Sequence, residues 1–231
     1  MSGRALVLIG HDARLQYRYG IYAAYAFVVA FYVALLVWAG PFLPPWFVGL
    51  VIFTDPAAVG FFFRGALMML ERSEGVRTAL AVAPVAPGDY LIGKTVTLTG
   101  VALLACCVLL AFVHEAPNPV LLLVGVALTS VAYVGIGVPI ALRFRTVTGY
   151  LVGSGGFLVP LIAPGFLALL EPTPLAVLVI PAAAQFKLIL VAVGAGSVDA
   201  LGMGISLVVC ALSAIGAIVL ALTFLRRELG R

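Results

Sequence analysis

Residues 19–54 read YGIYAAYAFVVAFYVALLVWAGPFLPPWFVGLVIFT and contain no charged side chain. An α-helix needs about 20 consecutive apolar residues to cross the hydrocarbon core of a bilayer. The run is long enough for two such helices, and the pairs Gly40-Pro41 and Pro44-Pro45 divide it, because prolines at this density end helices. The sequence therefore predicts a first span over residues 21–39, a tight outer turn, and a second span over 46–63.

The rest of the chain continues this pattern. Four further apolar runs have the length of a span, at residues 95–113, 120–142, 150–170 and 201–225. Of the 231 residues, 64% are hydrophobic and 10% are charged, whereas a soluble domain carries about 25% charged residues. We therefore expect an all-α integral membrane protein with six transmembrane helices, folded as one transmembrane domain over residues 1–231.

Residues 174–194 are also apolar, but they include Pro181, Gln185 and Lys187. With six spans, twelve of the thirteen basic residues lie on one side and only Lys187 lies opposite, as the positive-inside rule requires. A seventh span would move Arg226 and Arg227 to the other side. The sequence thus predicts an outer segment at 171–199 with a re-entrant or interfacial piece, and both termini in the cytoplasm at the plasma membrane.

The basic residues occur singly or in pairs at the ends of apolar runs. Such positions are typical of topology determinants and argue against nucleic-acid binding. Residues 1–19 mix apolar and basic side chains, which favours a short helix in the cytoplasmic interface over an ordinary flanking tail. The three cysteines lie within apolar runs without the spacing of a metal site, so we expect no bound metal.

The segment at 64–94 is the most polar part of the chain, with four basic and three acidic residues in 31 positions. The helical spacing of its first residues predicts that the second span continues out of the membrane, and Gly75 permits the helix to end there. A second short amphipathic helix is predicted near 76–82, suited to docking on a partner. An ordinary solvated loop is the alternative on composition alone.

Several short motifs in this segment carry a resemblance to a known family. They read ERSEG at 71–75, AL at 79–80, APV at 83–85 and YLIGK at 90–94. In this order they resemble the stretch after the second span of type-2 ABC exporter permeases. The stretch DARLQYRYG at 12–20, the Asp55-Pro56 pair and GFFF at 60–63 are more narrowly similar to the fluoroquinolone-export branch.

The resemblance implies a mechanism. In that family the segment contacts a separate ATPase subunit, and closure of two ATPases rocks two permease halves between inward- and outward-facing states. It implies that the coupling residues are Glu71, Arg72, Glu74, Gly75 and Arg77, with Lys94 at the inner end of the third span. ATP and Mg would bind to the partner ATPases, so the chain itself would hold no cofactor, perform no catalysis, and export a drug-like or amphipathic substrate. The second permease half, identical or paralogous, would complete the path among membrane lipids.

Residues 88–95, GDYLIGKT, fit the pattern of a phosphate-binding loop. That loop needs a preceding buried strand and a soluble α/β domain, whereas a proline-broken segment precedes this match and a span follows it. We therefore expect no ATP site here. Ser154 within GSGG suggests an intramembrane hydrolase, but the only histidines, His11 and His114, are at membrane edges, so close helix packing is the better explanation.

Asp55 falls near the middle of the second span, where an isolated carboxylate is expensive. It either lines a pathway for a cationic or polar substrate or is satisfied by neighbouring helix groups, and the sequence leaves both open. A channel or ion-coupled transporter without an ATPase is the alternative function, with Asp55 and Lys187 as its ion-handling residues.

Overall fold

The computed structural model describes residues 3–75, 86–112 and 117–229. Within these ranges all regular structure is helical, and there is no strand. Six helices are long and apolar enough to cross a membrane. The structure therefore confirms the prediction of an all-α membrane protein with six spans.

The described ranges form nine α-helices. They are α1 Gly3–Arg18, α2 Ile21–Ala39, α3 Pro45–Ala58, α4 Arg64–Ser73, α5 Pro87–Phe112, α6 Pro119–Ala141, α7 Val147–Ile162, α8 Pro181–Ala192 and α9 Ala200–Leu229. A π-helical turn, Val59–Phe63, joins α3 to α4, so that the second span continues from Pro45 to Arg72. Short 3-10 turns occupy Gly40–Phe42, Ala163–Leu169 and Val177–Val179.

The boundaries agree well with the predicted spans, with one informative difference. The first span matches at both ends, and α4 ends at Ser73, followed by Gly75 at a φ of 71°. In contrast, α5 begins at Pro87, eight residues before the predicted start at 95. Proline is well tolerated in the first turn of a helix. The negative charge of Asp89 in this turn interacts favourably with the positive end of the helix dipole. Lys94 consequently lies inside α5 and not at its beginning.

Helix α6 is the centre of the bundle and packs against α3, α4, α5, α8 and α9. Small residues permit these close approaches. A Cβ atom at Gly135 would lie 2.6 Å from the carbonyl carbon of Ala217 in α9. A Cβ atom at Gly60, in the π turn, would lie 2.9 Å from the backbone nitrogen of Val134. Backbone contacts therefore hold α9 and the π turn directly against α6.

Helix α8 lies inside the bundle, in the segment predicted to be re-entrant or interfacial. Ten of its twelve residues are buried, among α3, α6, α9 and the 3-10 turn at Ala163–Leu169. Its length is about 18 Å, too short to cross a bilayer of roughly 30 Å. Gly194, at a φ of 74°, ends it, and the N–H of Asn118 donates to the carbonyl of Ala192. A helix lying on the protein surface would expose one face, so this burial places α8 within the helical bundle.

We call one end of the bundle the basic end. It contains α1, the last turns of α4 and α9, the start of α5 and the turn at 142–146. The predicted N-terminal helix is confirmed as α1, which packs against α5 and α2. Arg77 and the amphipathic helix predicted at 76–82 lie outside the described residues, so both stay predictions.

Candidate functional site

Lys94 is a basic residue that is buried at the basic end. Its side chain is 4% exposed, and its ammonium pairs with Asp12 of α1 and Glu71 of α4. Lys94 itself belongs to α5. One lysine therefore links three helices that are far apart in the sequence.

Hydrogen bonds complete this arrangement, which we call the Lys94 cluster. Gln16 Nε2 donates to Asp12 Oδ2 over 2.7 Å, Thr97 donates to the same oxygen, and the Tyr90 hydroxyl donates to Glu71. Residues three and four positions apart share one face of a helix, which places Asp12 with Gln16 and Lys94 with Tyr90 and Thr97. The cluster comprises Asp12, Gln16, Glu71, Tyr90, Lys94 and Thr97.

Arg64 provides a second buried positive charge beside this cluster. It is 0% exposed, and its guanidinium carbon lies 5.2 Å from the centre of the Tyr90 ring. Its three side-chain nitrogens have no hydrogen-bond partner among the described residues. Arg64 and Glu71 are seven residues apart, which is two turns along the same face of α4. Two carboxylates and two cations thus balance in charge around the Tyr90 ring.

The residues predicted to couple with an ATPase divide into two groups. Glu71 and Lys94 are buried in the Lys94 cluster, 4% and 3% exposed. Arg72, Glu74 and Gly75 are exposed at the end of α4. Arg18 of α1 lies 3.5 Å from Glu74. Among the described coupling residues, only the second group is available for contact with another protein, and the buried group fixes its position.

Tyr19, between α1 and α2, lies close to the same acidic residues. Burial, the Glu74 carboxylate and the Glu71 charge raise the pKa of Tyr19 to about 12. The phenol therefore stays neutral at any physiological pH and adds no charge to the basic end.

The residues that fit a phosphate-binding loop, 88–95, are continuous helix within α5. A phosphate loop presents several backbone N–H groups to its ligand. In the interior of a helix these groups already donate to carbonyl oxygens one turn earlier. From Tyr90 onward, where the N–H donates to the carbonyl of Ala86, the donors of this stretch are used within the helix and cannot wrap a phosphate.

Asp55 lies in α3 and is 3% exposed. The hydroxyl of Tyr25 in α2 donates to its Oδ2 over 2.5 Å. Pro56 follows inside the helix, and the π turn begins three residues later. Among the described residues no basic side chain forms an ion pair with Asp55.

Lys187 of α8 is the buried cation nearest the other end. Its side chain is 0% exposed, and its ammonium lies 2.5 Å from Glu171 Oε1 and 3.3 Å from the carbonyl oxygen of Ala168. The Glu171 side chain is 48% exposed. The hydrogen bond from Lys187 lowers the pKa of the Glu171 carboxyl. Lys187 and Glu171 therefore form an ion pair, and only its acidic member reaches the surface.

Because only Glu171 is exposed, removing Glu171 and removing Lys187 should have unequal effects on stability. Glu171→Ala leaves a buried ammonium with a single carbonyl acceptor, whereas Lys187→Met leaves a carboxylate that water can solvate. We expect Glu171→Ala to cost about 1–3 kcal/mol more than Lys187→Met. Apparent melting temperatures in detergent measure the difference, and equal values for the two variants would contradict the observed burial.

The same pair predicts a dependence on pH. A carboxyl with a lowered pKa in the folded state adds stability above its ordinary pKa, and that stability is lost as the pH falls through the lowered value. Acidification should therefore lower the melting temperature of the wild type more than that of Glu171→Ala. A parallel decline in both proteins would show that the pair contributes nothing.

The site residues that were not singled out from the sequence include Asp12, Tyr25 and Arg64. Asp12 and Gln16 stand four residues apart in a helix, which is a usable signal for a shared polar face. Arg64 has the weaker signal of a charge directly after an apolar span. Tyr25 carries none, because a tyrosine among apolar residues is ordinary in a membrane helix.

A comparison with protein-family models, curated proteins and solved structures finds no match. A function for this chain is therefore inferred from its own residues and their geometry.

Proposed function

We propose that this chain is the transmembrane permease subunit of an ATP-driven ABC exporter. In this proposal it moves a drug-like or amphipathic substrate out of the cytoplasm by alternating access. Two copies of an ATPase subunit bind at the basic end and hold the ATP and Mg. A second permease half, identical or paralogous, completes the translocation path, and both termini lie in the cytoplasm.

The observation that carries the proposal is the connection between the exposed end of α4 and the buried Lys94 cluster. Arg72 and Glu74 are exposed, while Glu71 of the same helix pairs with Lys94 of α5. Lys94 in turn pairs with Asp12 of α1. A push on the exposed residues is thereby transmitted to two further helices through buried charge pairs. A solvated loop would need no such connection.

The second span also contains a plausible point of bending. Pro56 interrupts the backbone hydrogen bonds of α3, and the π turn at Val59–Phe63 follows. π-helical turns are frequent at functional sites. The hydroxyl of Tyr150 donates to the carbonyl of Phe61 over 2.6 Å, which satisfies a backbone group within this turn. Such a bend would let α4 move relative to α3 when an ATPase closes.

One observation favours the alternative of a channel or ion-coupled transporter. Asp55 is a buried carboxylate in the middle of a span and forms no ion pair with a described basic residue. Intramembrane carboxylates often belong to ion or proton pathways. That function would require no ATPase, so a test for the ATPase separates the two.

The test is an affinity purification from native membranes in mild detergent, with MgATP hydrolysis by the retained complex as the measurement. Purified wild type should retain hydrolysis activity. In an Arg72→Ala/Glu74→Ala double variant the activity should be at least about tenfold lower, because truncating central interface residues commonly weakens binding by this much. Arg145→Ala is the matched control, because Arg145 is an exposed basic residue of the neighbouring turn.

Two outcomes would overturn the proposal. One is a folded wild type that retains no MgATP hydrolysis when the candidate ATPase is co-expressed. The other is a double variant that retains as much hydrolysis as wild type and the Arg145→Ala control. In the first case the ion-coupled alternative becomes the better explanation.

A further inference from the structure

A groove lies between α2 and α5 on the side of the bundle and encloses ≈ 790 Å³. Its lining is apolar or aromatic throughout, including Trp38, Val101, Leu104 and Phe112. The α2 wall recedes where Ala26 and Ala30 present only methyl groups. Sites for small organic molecules typically have volumes of about 300–1,000 Å³, so the groove is large enough for such a ligand.

Tyr25 links this groove to a buried negative charge. Its ring lines the groove, and its hydroxyl donates to Asp55 Oδ2 over 2.5 Å on the side facing the bundle. Phe63 packs edge-on against the Tyr25 ring, with 5.8 Å between the two ring centres, and holds it in place. The Asp55 carboxylate therefore lies directly behind one wall of an otherwise apolar groove.

This carboxylate lacks a positive partner in the part of the chain that the structure describes. The other buried carboxylates, Asp12 and Glu71, both pair with Lys94. An uncompensated charge within a span is costly, and a cation in the groove would reduce that cost. The aromatic faces of Tyr22, Tyr25 and Trp38 also line the groove, and such faces attract organic cations.

We propose that this groove binds a monovalent organic cation with a bulky apolar body, which enters it from the bilayer. The apolar walls accept the body, and the charge is attracted to Asp55 across the Tyr25 hydroxyl. The inference deepens the proposed function by naming the substrate class of the exporter. It is tested by binding alone, so the absence of an ATPase partner would not affect its outcome.

The test uses two probes of nearly the same shape and opposite charge, tetraphenylphosphonium and tetraphenylborate. Their binding to purified protein in lipid nanodiscs is measured by equilibrium dialysis, with binding to empty nanodiscs subtracted. Wild type should bind the phosphonium above this background, and Asp55→Asn should bind it at least about tenfold more weakly. Binding of the borate anion should not weaken in Asp55→Asn.

A second variant tests the location of the site and covers the case in which Asp55→Asn does not fold. Ala30→Phe fills the groove from its exposed side and should also weaken phosphonium binding at least about tenfold. Val208→Phe is the matched control, because Val208 is 57% exposed on α9 and does not line the groove.

The proposal is overturned if wild type binds no more phosphonium than empty nanodiscs do. It is also overturned if a folded Asp55→Asn binds the phosphonium as tightly as wild type, or if Ala30→Phe and Val208→Phe behave alike. If purified wild type retains no MgATP hydrolysis but still binds the phosphonium, the exporter proposal is rejected and the cation site is kept.

Discussion

Replacing Lys94 with methionine is expected to destabilise the folded protein by about 3–5 kcal/mol, since removal of one partner leaves a buried charge uncompensated. The ammonium of Lys94 is shared by Asp12 and Glu71, whose side chains are each 6% exposed. Its loss leaves two carboxylates that are almost entirely removed from solvent. The measurement is the melting temperature in detergent with a thiol-reactive dye, in a Cys107→Ser background because Cys107 is exposed. The remaining thiols, Cys106 and Cys210, are buried and become reactive on unfolding.

Two further variants distinguish the cost of leaving buried carboxylates unpaired from the effect of losing a positive charge. Arg145→Met makes a comparable change at an exposed position of the same end and should leave the melting temperature nearly unchanged. Adding Asp12→Asn to Lys94→Met removes one of the two stranded carboxylates and should recover part of the loss. If Lys94→Met had the same melting temperature as wild type, the three-helix connection at the centre of the proposed mechanism would be absent.

The number and approximate limits of the spans could be predicted because each span carries its own signal. Residues 21–39 are apolar along their whole length and end at a glycine and a proline, so no other part of the chain is needed to recognise the helix. The early start of α5 at Pro87 was missed for the opposite reason. Its first two turns are polar, and hydropathy detects the part of a helix in lipid and not the whole helix.

Residues 174–194 remained ambiguous because hydropathy cannot register side-chain partners. Gln185 and Lys187 make the segment poor as a span, yet both are buried in α8. Lys187 pairs with Glu171, and the amide nitrogen of Gln185 lies 3.4 Å from the hydroxyl of Ser213. These partners come from other parts of the chain, so the fold that joins them had to be known first.

The candidate site was predictable by residue type but not by arrangement. Glu71, Lys94 and Asp55 were identified from the sequence, and all three are buried. The sequence could not indicate that Asp12 meets Lys94 across 82 positions, or that Tyr25 meets Asp55 across 30. It also presented Glu71 and Glu74 as one surface element, whereas a single turn of helix directs the first inward and the second outward. The distinction changes which residues a partner protein can touch.

The close contact between α6 and α9 gives the second large expected effect. A Cβ atom at Gly135 would lie 2.6 Å from the carbonyl carbon of Ala217 and 2.7 Å from its oxygen. Both atoms belong to the backbone of α9 and cannot rotate away as a side chain would. Gly135→Ala must therefore separate the two helices, and we expect it to destabilise the protein by about 1–3 kcal/mol or more.

Gly216 is the matched control for this prediction, because it precedes Ala217 in α9 and a Cβ atom there would meet nothing within 4 Å. Gly216→Ala should be neutral or should stabilise by up to about 1 kcal/mol, since alanine favours helix more than glycine does. The same chemical change should thus have opposite signs on the two sides of one contact. Melting temperatures measured in parallel provide the comparison. If both variants had the melting temperature of wild type, the backbones of α6 and α9 would not be in contact.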